Sequence, residues 1–258
     1  MKLGFSPVSA AMLDLDAAYR LAAELELDFI ELSFDLHEAL PDLQSAEQVR
    51  ELSSATGIGS TLHLSYLDLN LSSLIPAARR TAVERTLRGL EFATDVGSTC
   101  GVLHTGLNHV PFEQARMLAH AALEESLSEL EGSSVPIALE NLVLTPADVV
   151  RNAAELAEIT RRHGMGNCLD FGHANIEASA SGQATIPGYL ESMNLIHLHL
   201  HNNHAQRDEH LPTDQGTVDY AQILPQLSDF QGTACLEIST GEAGVRQAVR
   251  HIRSLVPA

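Results

Sequence analysis

The stretch NLIHLHLHNN, residues 194–203, places His197, His199 and His201 at alternate positions. A period of two is typical of a β-strand, so the three imidazoles share one face while Leu198 and Leu200 lie on the other. Three imidazoles on one face are unfavourable in an apolar core, because their polar nitrogens need hydrogen-bond partners. The stretch is therefore a metal site, part of a catalytic relay, or a strand whose histidines are satisfied by hydrogen bonds. The choice depends on what the rest of the chain brings to the same place.

Seven more apolar stretches of strand length alternate with amphipathic helical stretches along the chain. The predicted strands are LGFS (3–6), FIELSF (29–34), STLHLS (60–65), CGVLHTG (100–106), PIALENL (136–142), NCLDFGH (167–173), LIHLHLH (195–201) and ACLEIS (234–239). Helices are predicted over 15–27, 46–57, 77–97 and 148–164, and the last two end on glycine, as many helices do. Long loops are predicted over 175–188 and 201–220.

Eight strand–helix units in 258 residues, about 32 residues each, are typical of a (β/α)8 barrel. The rival architecture is a doubly wound open sheet, but no GxGxxG turn follows the first strand. No low-complexity linker divides the chain. The sequence therefore predicts an α/β protein with a single domain, residues 1–258, folded as a (β/α)8 barrel.

The balance of charge is strongly acidic, with 15 Lys and Arg against 34 Asp and Glu and a net charge of −19. A diffuse negative charge repels nucleic acid and anionic membranes, which disfavours both as partners. No apolar run approaches the roughly 18 to 20 residues that cross a bilayer, and the N-terminus lacks a long apolar signal region, so we expect a cytoplasmic protein. The three widely spaced cysteines, without a CxxC pair, are expected to be reduced core thiols.

The ionisable residues cluster at one end of the predicted strands. In a (β/α)8 barrel the active site lies at the C-terminal mouth, where the strands end. The residues that fall there are His63, His104, Glu140, Asp170, His173, His199 and Glu237. Thr61, Ala138, Cys168 and Cys235 each stand two residues before one of them, so we expect these four to pack the barrel interior beneath the site.

This mixture of groups predicts a metal site. Unpaired carboxylates and imidazoles in a narrow mouth are costly, and a divalent cation relieves that cost by taking oxygen and nitrogen ligands together. No cysteine lies at the mouth, which argues against a structural zinc site. Carboxylate and imidazole ligands suit Mn, Mg, Co or Zn at a working site with open coordination positions.

With these residues the chain resembles, over nearly its whole length, the xylose isomerase-like barrel superfamily, which contains sugar isomerases and epimerases and the type IV apurinic endonucleases. In the epimerase branch two glutamates, an aspartate and a histidine hold one ion, and the resemblance assigns these to Glu140, Glu237, Asp170 and His199. In the endonuclease branch nine residues hold three zinc ions. The five additional positions are His63, His104, His173, Asp208 and His210.

Particular segments separate the two branches. HLSYLDLNL from His63 is similar to the endonuclease segment whose tyrosine and leucine enter the DNA. The loop DLHEALPDLQSAE (35–47), however, contains no Lys or Arg where the endonucleases carry DNA-reading arginines. DEHLPTDQGTVDY (208–220) is closer to sugar phosphate isomerase/epimerase-like barrels, although Thr213 and Asp214 depart from that pattern. Asn202 also departs, because both branches commonly carry aspartate there.

The resemblance and the charge together favour a divalent-metal-dependent sugar or sugar-phosphate isomerase or epimerase with a small carbohydrate substrate. Such a reaction removes a proton from carbon beside a carbonyl and passes through an enediolate. The resemblance implies that Glu140 and Glu237 are the acid/base pair as well as ligands. His104 and His173 would orient substrate hydroxyls, and His63 would lie on the pocket wall.

Within the opening stretch, His199 is expected to be the metal ligand, His201 to border the mouth and His197 to lie deeper in the barrel. The main alternative function is a three-zinc apurinic endonuclease that hydrolyses phosphodiesters at abasic sites and needs all nine residues. A related lyase, or a barrel that binds metal and ligand without turnover, is a third class. The sequence leaves the oligomeric state open.

Overall fold

The computed structural model describes residues 1–42, 44–110, 112–143, 145, 147–182 and 185–255. Eight parallel strands close into a barrel in the order in which they occur along the chain. The strands are β1 Lys2–Phe5, β2 Phe29–Ser33, β3 Gly59–His63, β4 Gly101–His104, β5 Ile137–Glu140, β6 Gly166–Asp170, β7 Leu195–Leu200 and β8 Thr233–Leu236. Every predicted strand overlaps an observed one, so the predicted (β/α)8 barrel is confirmed.

Helices join the successive strands. They are α1 Leu15–Glu24, α2 Phe34–Ala39, α3 Ala46–Thr56, α4 Pro76–Val96, α5 Glu113–Ser128, α6 Ala153–Arg162, α7 Phe171–Ser181, α8 Thr185–Ser192, α9 Tyr220–Ile223 and α10 Gly241–Leu255, and Leu224–Leu227 form a 3₁₀ helix. The α4 helix ends, as predicted, at Gly97, which adopts a left-handed φ of 73°, and α3 ends in the same way at Gly57, with a φ of 76°. No helix in the described ranges is both long enough and apolar enough to cross a membrane.

The predicted loop over 175–188 is wrong. Its first part continues α7 to Ser181, and α8 begins at Thr185, with Gln183 and Ala184 outside the described residues. The α7 helix buries Phe171 and Ile176. Burial of this face stabilises a helix whose serines and asparagine have modest helix propensity, and that packing is not visible in a local pattern.

The helix predicted from residue 148 begins later, because Asn152 caps it. The Asn152 side chain accepts a hydrogen bond from the Glu155 backbone N–H, and α6 starts at Ala153. Val149 and Val150, which gave the predicted helix its apolar start, are buried in the segment before the cap. Their apolar character reflects core packing rather than helical periodicity.

The long loop predicted after β7 is confirmed as far as Asp219, where the next helix is capped. An isolated bridge joins Asn202 to Leu211 within it. The side chain of Asn202 accepts hydrogen bonds from the N–H groups of Asn203 and Val218 and donates to the carbonyls of Thr213 and Val218. An aspartate could not make those two donations, so the amide at this position holds the loop against the barrel.

The barrel interior beneath the mouth is packed as predicted. Thr61, Ala138, Cys168 and Cys235 are fully buried. Cys100, Cys168 and Cys235 are all free and buried. Burial raises the pKa of each thiol, so all three are protonated near neutral pH and behave as small core residues.

Candidate metal and active site

All nine predicted site residues meet at the C-terminal mouth of the barrel. Each has a side-chain nitrogen or oxygen no more than 3.7 Å from that of another member. His63, His104, Glu140 and Asp170 end β3 to β6, His199 lies in β7, Glu237 follows β8, His173 is in the first turn of α7, and Asp208 and His210 lie in the loop after β7. The structure therefore brings all nine residues together at one site.

Three of the nine surround a nitrogen of a fourth, His199. Nδ1 of His199 lies 3.2 Å from Oε1 of Glu140, 3.3 Å from Oε2 of Glu237 and 3.7 Å from Oδ2 of Asp170. Two ligands of one tetrahedral zinc ion, each about 2.0 Å from it, are roughly 3.3 Å apart. The distances from Nδ1 of His199 to the three carboxylates, 3.2 to 3.7 Å, are close to the separation expected between ligands of a single divalent ion.

Electrostatics in this group favour charged carboxylates. Burial by itself would raise the pKa of Glu140, but the imidazoles of His199 and His104 hold it well below its usual range. Burial likewise opposes the ionisation of Asp170, and His173 and His201 lower its pKa below the usual value. Both carboxyl groups are thus available as anionic ligands at neutral pH.

A second set of donors surrounds the other oxygen of Glu140. Nε2 of His104 lies 3.1 Å and Nε2 of His63 lies 3.7 Å from Oε2 of Glu140. This oxygen is buried, and no donor among the described residues makes a well-aligned hydrogen bond to it. Buried carboxylate oxygens normally have partners, so close imidazole nitrogens out of hydrogen-bonding alignment suit a cation shared between them.

A third set is centred on Asp208. Its Oδ2 lies 3.3 Å from Nε2 of His173 and 2.8 Å from Nε2 of His210. Nδ1 of each ring faces a backbone carbonyl, that of Asn141 at 2.8 Å for His173 and that of Glu237 at 3.0 Å for His210. Burial lowers the pKa of both rings, but the surrounding carboxylates outweigh it and raise the pKa of His173 to about 10 and of His210 to about 9.

The three histidines of the opening stretch occupy three depths. His199 faces Glu140, Asp170 and Glu237 at the mouth. His197 is fully buried below it, where Nδ1 lies 2.6 Å from Oγ1 of Thr233. The third ring, His201, is also fully buried and has a larger role than the sequence indicated.

Nε2 of His201 lies 3.1 and 3.0 Å from the two oxygens of Asp170. Its ring also stacks on that of His210, with centroids 4.0 Å apart. A Cβ on Gly172 would lie 1.9 Å from the His201 ring, so only glycine fits beside it. The sequence placed His201 at the border of the mouth but missed its contact with Asp170, although the shared strand face was a usable signal.

Asn141, which follows Glu140, also escaped the sequence analysis. Its Oδ1 accepts the Asp170 N–H at 2.7 Å, its Nδ2 donates to the Asp170 carbonyl at 3.0 Å, and its own carbonyl faces Nδ1 of His173. The Asp170 side chain in turn accepts the N–H of His173 as the cap of α7. These bonds fix the ends of β5 and β6 to each other and orient two donors.

Glu31 is the other residue that sequence reasoning missed. It lies at the centre of β2, is 1% exposed, and has carboxylate oxygens 3.0 Å from Nε2 of His197 and 3.1 Å from Nε2 of His199. Burial would raise its pKa, but the imidazoles of His199 and His197 hold it well below its usual range. A charged residue inside the apolar stretch FIELSF was the available signal.

The mouth opens into a cavity of about 380 Å³. Its lining residues are Ser6, Val8, Ser9, Leu32, Ser33, His63, Tyr66, His104, Glu140, His173, Asp208, His210, Glu237 and Ser239. Tyr66 packs its ring against His63 and His104, with centroids 4.7 and 5.2 Å away. No Lys or Arg is found among these described lining residues, which combine hydroxyl groups, imidazoles and carboxylates.

Several solved structures share this fold. A D-tagatose 3-epimerase-like protein superposes with a TM-score of 0.81 at 21% identity, covering 100% of both chains. D-Psicose 3-epimerase from Clostridium cellulolyticum H10, solved with D-tagatose, gives 0.76 at 19% identity over 100% of both chains. The IolI protein with a bound zinc atom gives 0.74 at 19% identity over 99% of this chain and 95% of that one. At these identities the likeness shows the fold alone.

Comparison of sequences identifies the family. An uncharacterised protein of Methanocaldococcus jannaschii is 24% identical and covers 97% of this chain and 86% of its own length. Residues 19–255, most of the chain, match the family described as the xylose isomerase-like TIM barrel. The chain therefore belongs to the xylose isomerase-like TIM barrel family.

Proposed function

We propose that the protein is a divalent-metal-dependent isomerase or epimerase that acts on a small sugar by proton transfer through an enediolate. The observation that carries this proposal is the arrangement around His199, whose Nδ1 lies 3.2 Å from Glu140 and 3.3 Å from Glu237. With Asp170 these groups would hold one ion. A set of three carboxylates and one imidazole suits Mn, Mg, Co or Zn.

The ion, when bound, would stabilise the negative charge that develops on two neighbouring substrate oxygens. The chain itself supplies the proton transfer. Glu140 ends β5 and Glu237 follows β8, and both line the cavity, so two carboxylates reach it from different parts of the barrel wall. One can take the proton from carbon and the other can return one, as an epimerisation or isomerisation beside a carbonyl requires.

The remaining cavity side chains suit a polyhydroxylated substrate. His104 and His173 line the cavity and are placed to orient hydroxyl groups, with His63 and Tyr66 forming a wall beside His104. No Lys or Arg occurs among the described lining residues, and phosphate groups are usually bound by such cations or by backbone N–H groups at helix N-termini. These features support an uncharged sugar in preference to a sugar phosphate. The epimerases that share the fold support the same class.

One observation favours a second candidate, a three-zinc apurinic endonuclease. The structure gathers three donor sets rather than one, and His63 with His104, and His173 with Asp208 and His210, could each help to hold a further ion. The surroundings weigh against it. The described part of the segment after β2 is acidic, and Asp35 and Glu38 pair there with Arg85 and Arg88, so these arginines are neutralised within the protein.

The number of tightly bound ions separates the two candidates. Protein purified without chelator should contain about one divalent ion per chain by elemental analysis, because His199 and the three carboxylates around it form a set of four ligands. Asp208→Asn, which alters only the third set, should keep this ion. Three ions per chain, one of them lost in Asp208→Asn, would support the endonuclease instead.

A further inference from the structure

Glu31 is a carboxylate inside the barrel that the proposed proton transfer does not use. It lies one layer below the mouth, is 1% exposed and is not among the residues that line the cavity. A buried carboxylate is costly unless it is paired, and an apolar side chain would fill the same volume without that cost. Its presence at this level therefore calls for a specific role.

The two nitrogens of the His199 ring face two different layers of the barrel. Nδ1 faces Glu140, Asp170 and Glu237 in the mouth, while Nε2 lies 3.1 Å from Oε1 of Glu31 below. Among the described residues, neither Nε2 of His199 nor Oε1 of Glu31 makes an aligned hydrogen bond to any other group. The two atoms lie within ion-pair distance of each other, and neither has an aligned hydrogen bond to another described group, so a small rotation of the ring would align the N–H with the carboxylate.

Glu31 is itself held in place. Oγ1 of Thr61 donates to its Oε2 at 2.9 Å, and Nε2 of His197 lies 3.0 Å from the same oxygen. The His197 ring is anchored on its other side, where Nδ1 lies 2.6 Å from the Thr233 hydroxyl. The carboxylate is therefore fixed from below and from the side, with Oε1 directed towards His199.

We propose that Glu31 is the positioning residue of His199: it accepts the Nε2–H and so commits Nδ1 to the metal ion. A histidine that binds a metal through one nitrogen usually donates the other N–H to a carboxylate or carbonyl, which fixes the tautomer and the ring orientation and makes the ring a stronger ligand. This inference rests on the proposed metal site. It adds a residue that never touches substrate or ion.

The test is zinc affinity, measured by competition with a chromogenic chelator on the intact protein. Glu31→Gln keeps the volume but removes the charge, and should weaken zinc binding 10- to 100-fold. Glu177→Gln is the matched control, because Glu177 is another buried glutamate, bonded to Tyr189 on the outer helices. It should leave zinc affinity unchanged.

A second readout follows the ring itself. In the zinc-loaded, ¹⁵N-histidine-labelled protein, the His199 signals should show Nδ1 bound to metal and Nε2 protonated, and the Nε2–H should exchange faster with water in Glu31→Gln. If that variant does not fold, Thr61→Val keeps the carboxylate but removes its donor, and should weaken zinc binding in the same direction by a smaller factor.

The outcomes separate this inference from the proposed function. If the wild type binds zinc and Glu31→Gln binds it equally well, the role of Glu31 is overturned while the metal site stands. If the metal is found on Nε2, both the role of Glu31 and the assignment of Nδ1 as the ligand atom are overturned. If the wild type binds no zinc, the proposed metal-dependent function fails first, and the positioning role fails with it.

Discussion

Replacing Glu237 by glutamine is expected to lower the turnover of the sugar substrate about 100- to 10,000-fold while the barrel stays folded. Glutamine keeps the shape of the side chain but can neither take a proton from carbon nor return one. Glu237 lines the cavity and lies 3.3 Å from Nδ1 of His199, so the change also removes one anionic ligand. Glu140→Gln should have an effect of the same order, because Glu140 lies 3.2 Å from the same nitrogen.

Steady-state kinetics with metal-saturated protein, together with far-UV circular dichroism, measures this effect. Glu177→Gln is again the control, since it changes a buried glutamate that does not line the cavity. It should retain the activity of the wild type. A fully active Glu237→Gln protein would show that the acid/base pair has been assigned to the wrong residues.

Abasic duplex DNA is expected to be neither incised nor bound tightly. At roughly 0.15 M salt its affinity should be weaker than about 1 μM and independent of the lesion, because binding to a duplex depends on cations that neutralise phosphates. The chain has a net charge of −19, and no Lys or Arg is found among the described residues that line the cavity.

Electrophoretic mobility shift and incision assays with a single abasic site, with zinc added, measure both properties. An intact duplex of the same sequence is the control, and the protein should bind the two equally weakly. Zinc-dependent incision at the abasic site would establish the endonuclease and remove the sugar enzyme from consideration.

Much of the candidate site was predictable because a parallel barrel obeys simple geometry. Strands of period two put alternate residues inside, and the ends of all eight strands meet at one mouth. Glu140 and Asp170 end their strands, and Glu237 follows one directly, so strand position alone predicted that they would meet. His199 was separable from His197 and His201 by its matched position in the family resemblance.

Contacts that do not follow from the position of a residue at the end of a strand could not be predicted from the sequence, for physical reasons. Glu31 lies in the middle of a strand whose neighbours are apolar, so its role depends on the histidines that β7 brings near it from far along the chain. The contact between His201 and Asp170 requires a glycine at position 172, because any side chain there would overlap the His201 ring. The helical course of α7 depends on burial of Phe171 and Ile176, which a local pattern does not reveal.

Proton transfer at the mouth of the barrel is tested by solvent deuterium exchange. Metal-loaded protein is incubated in D₂O with an uncharged ketohexose, such as D-tagatose or D-fructose, and the sugar is examined by proton NMR. We expect deuterium at the carbon beside the carbonyl, with formation of an epimer or aldose, and loss of both after chelation or in Glu237→Gln. If a panel of uncharged ketoses shows no exchange at that carbon while the protein holds its ion, the protein is not a sugar isomerase or epimerase of this kind.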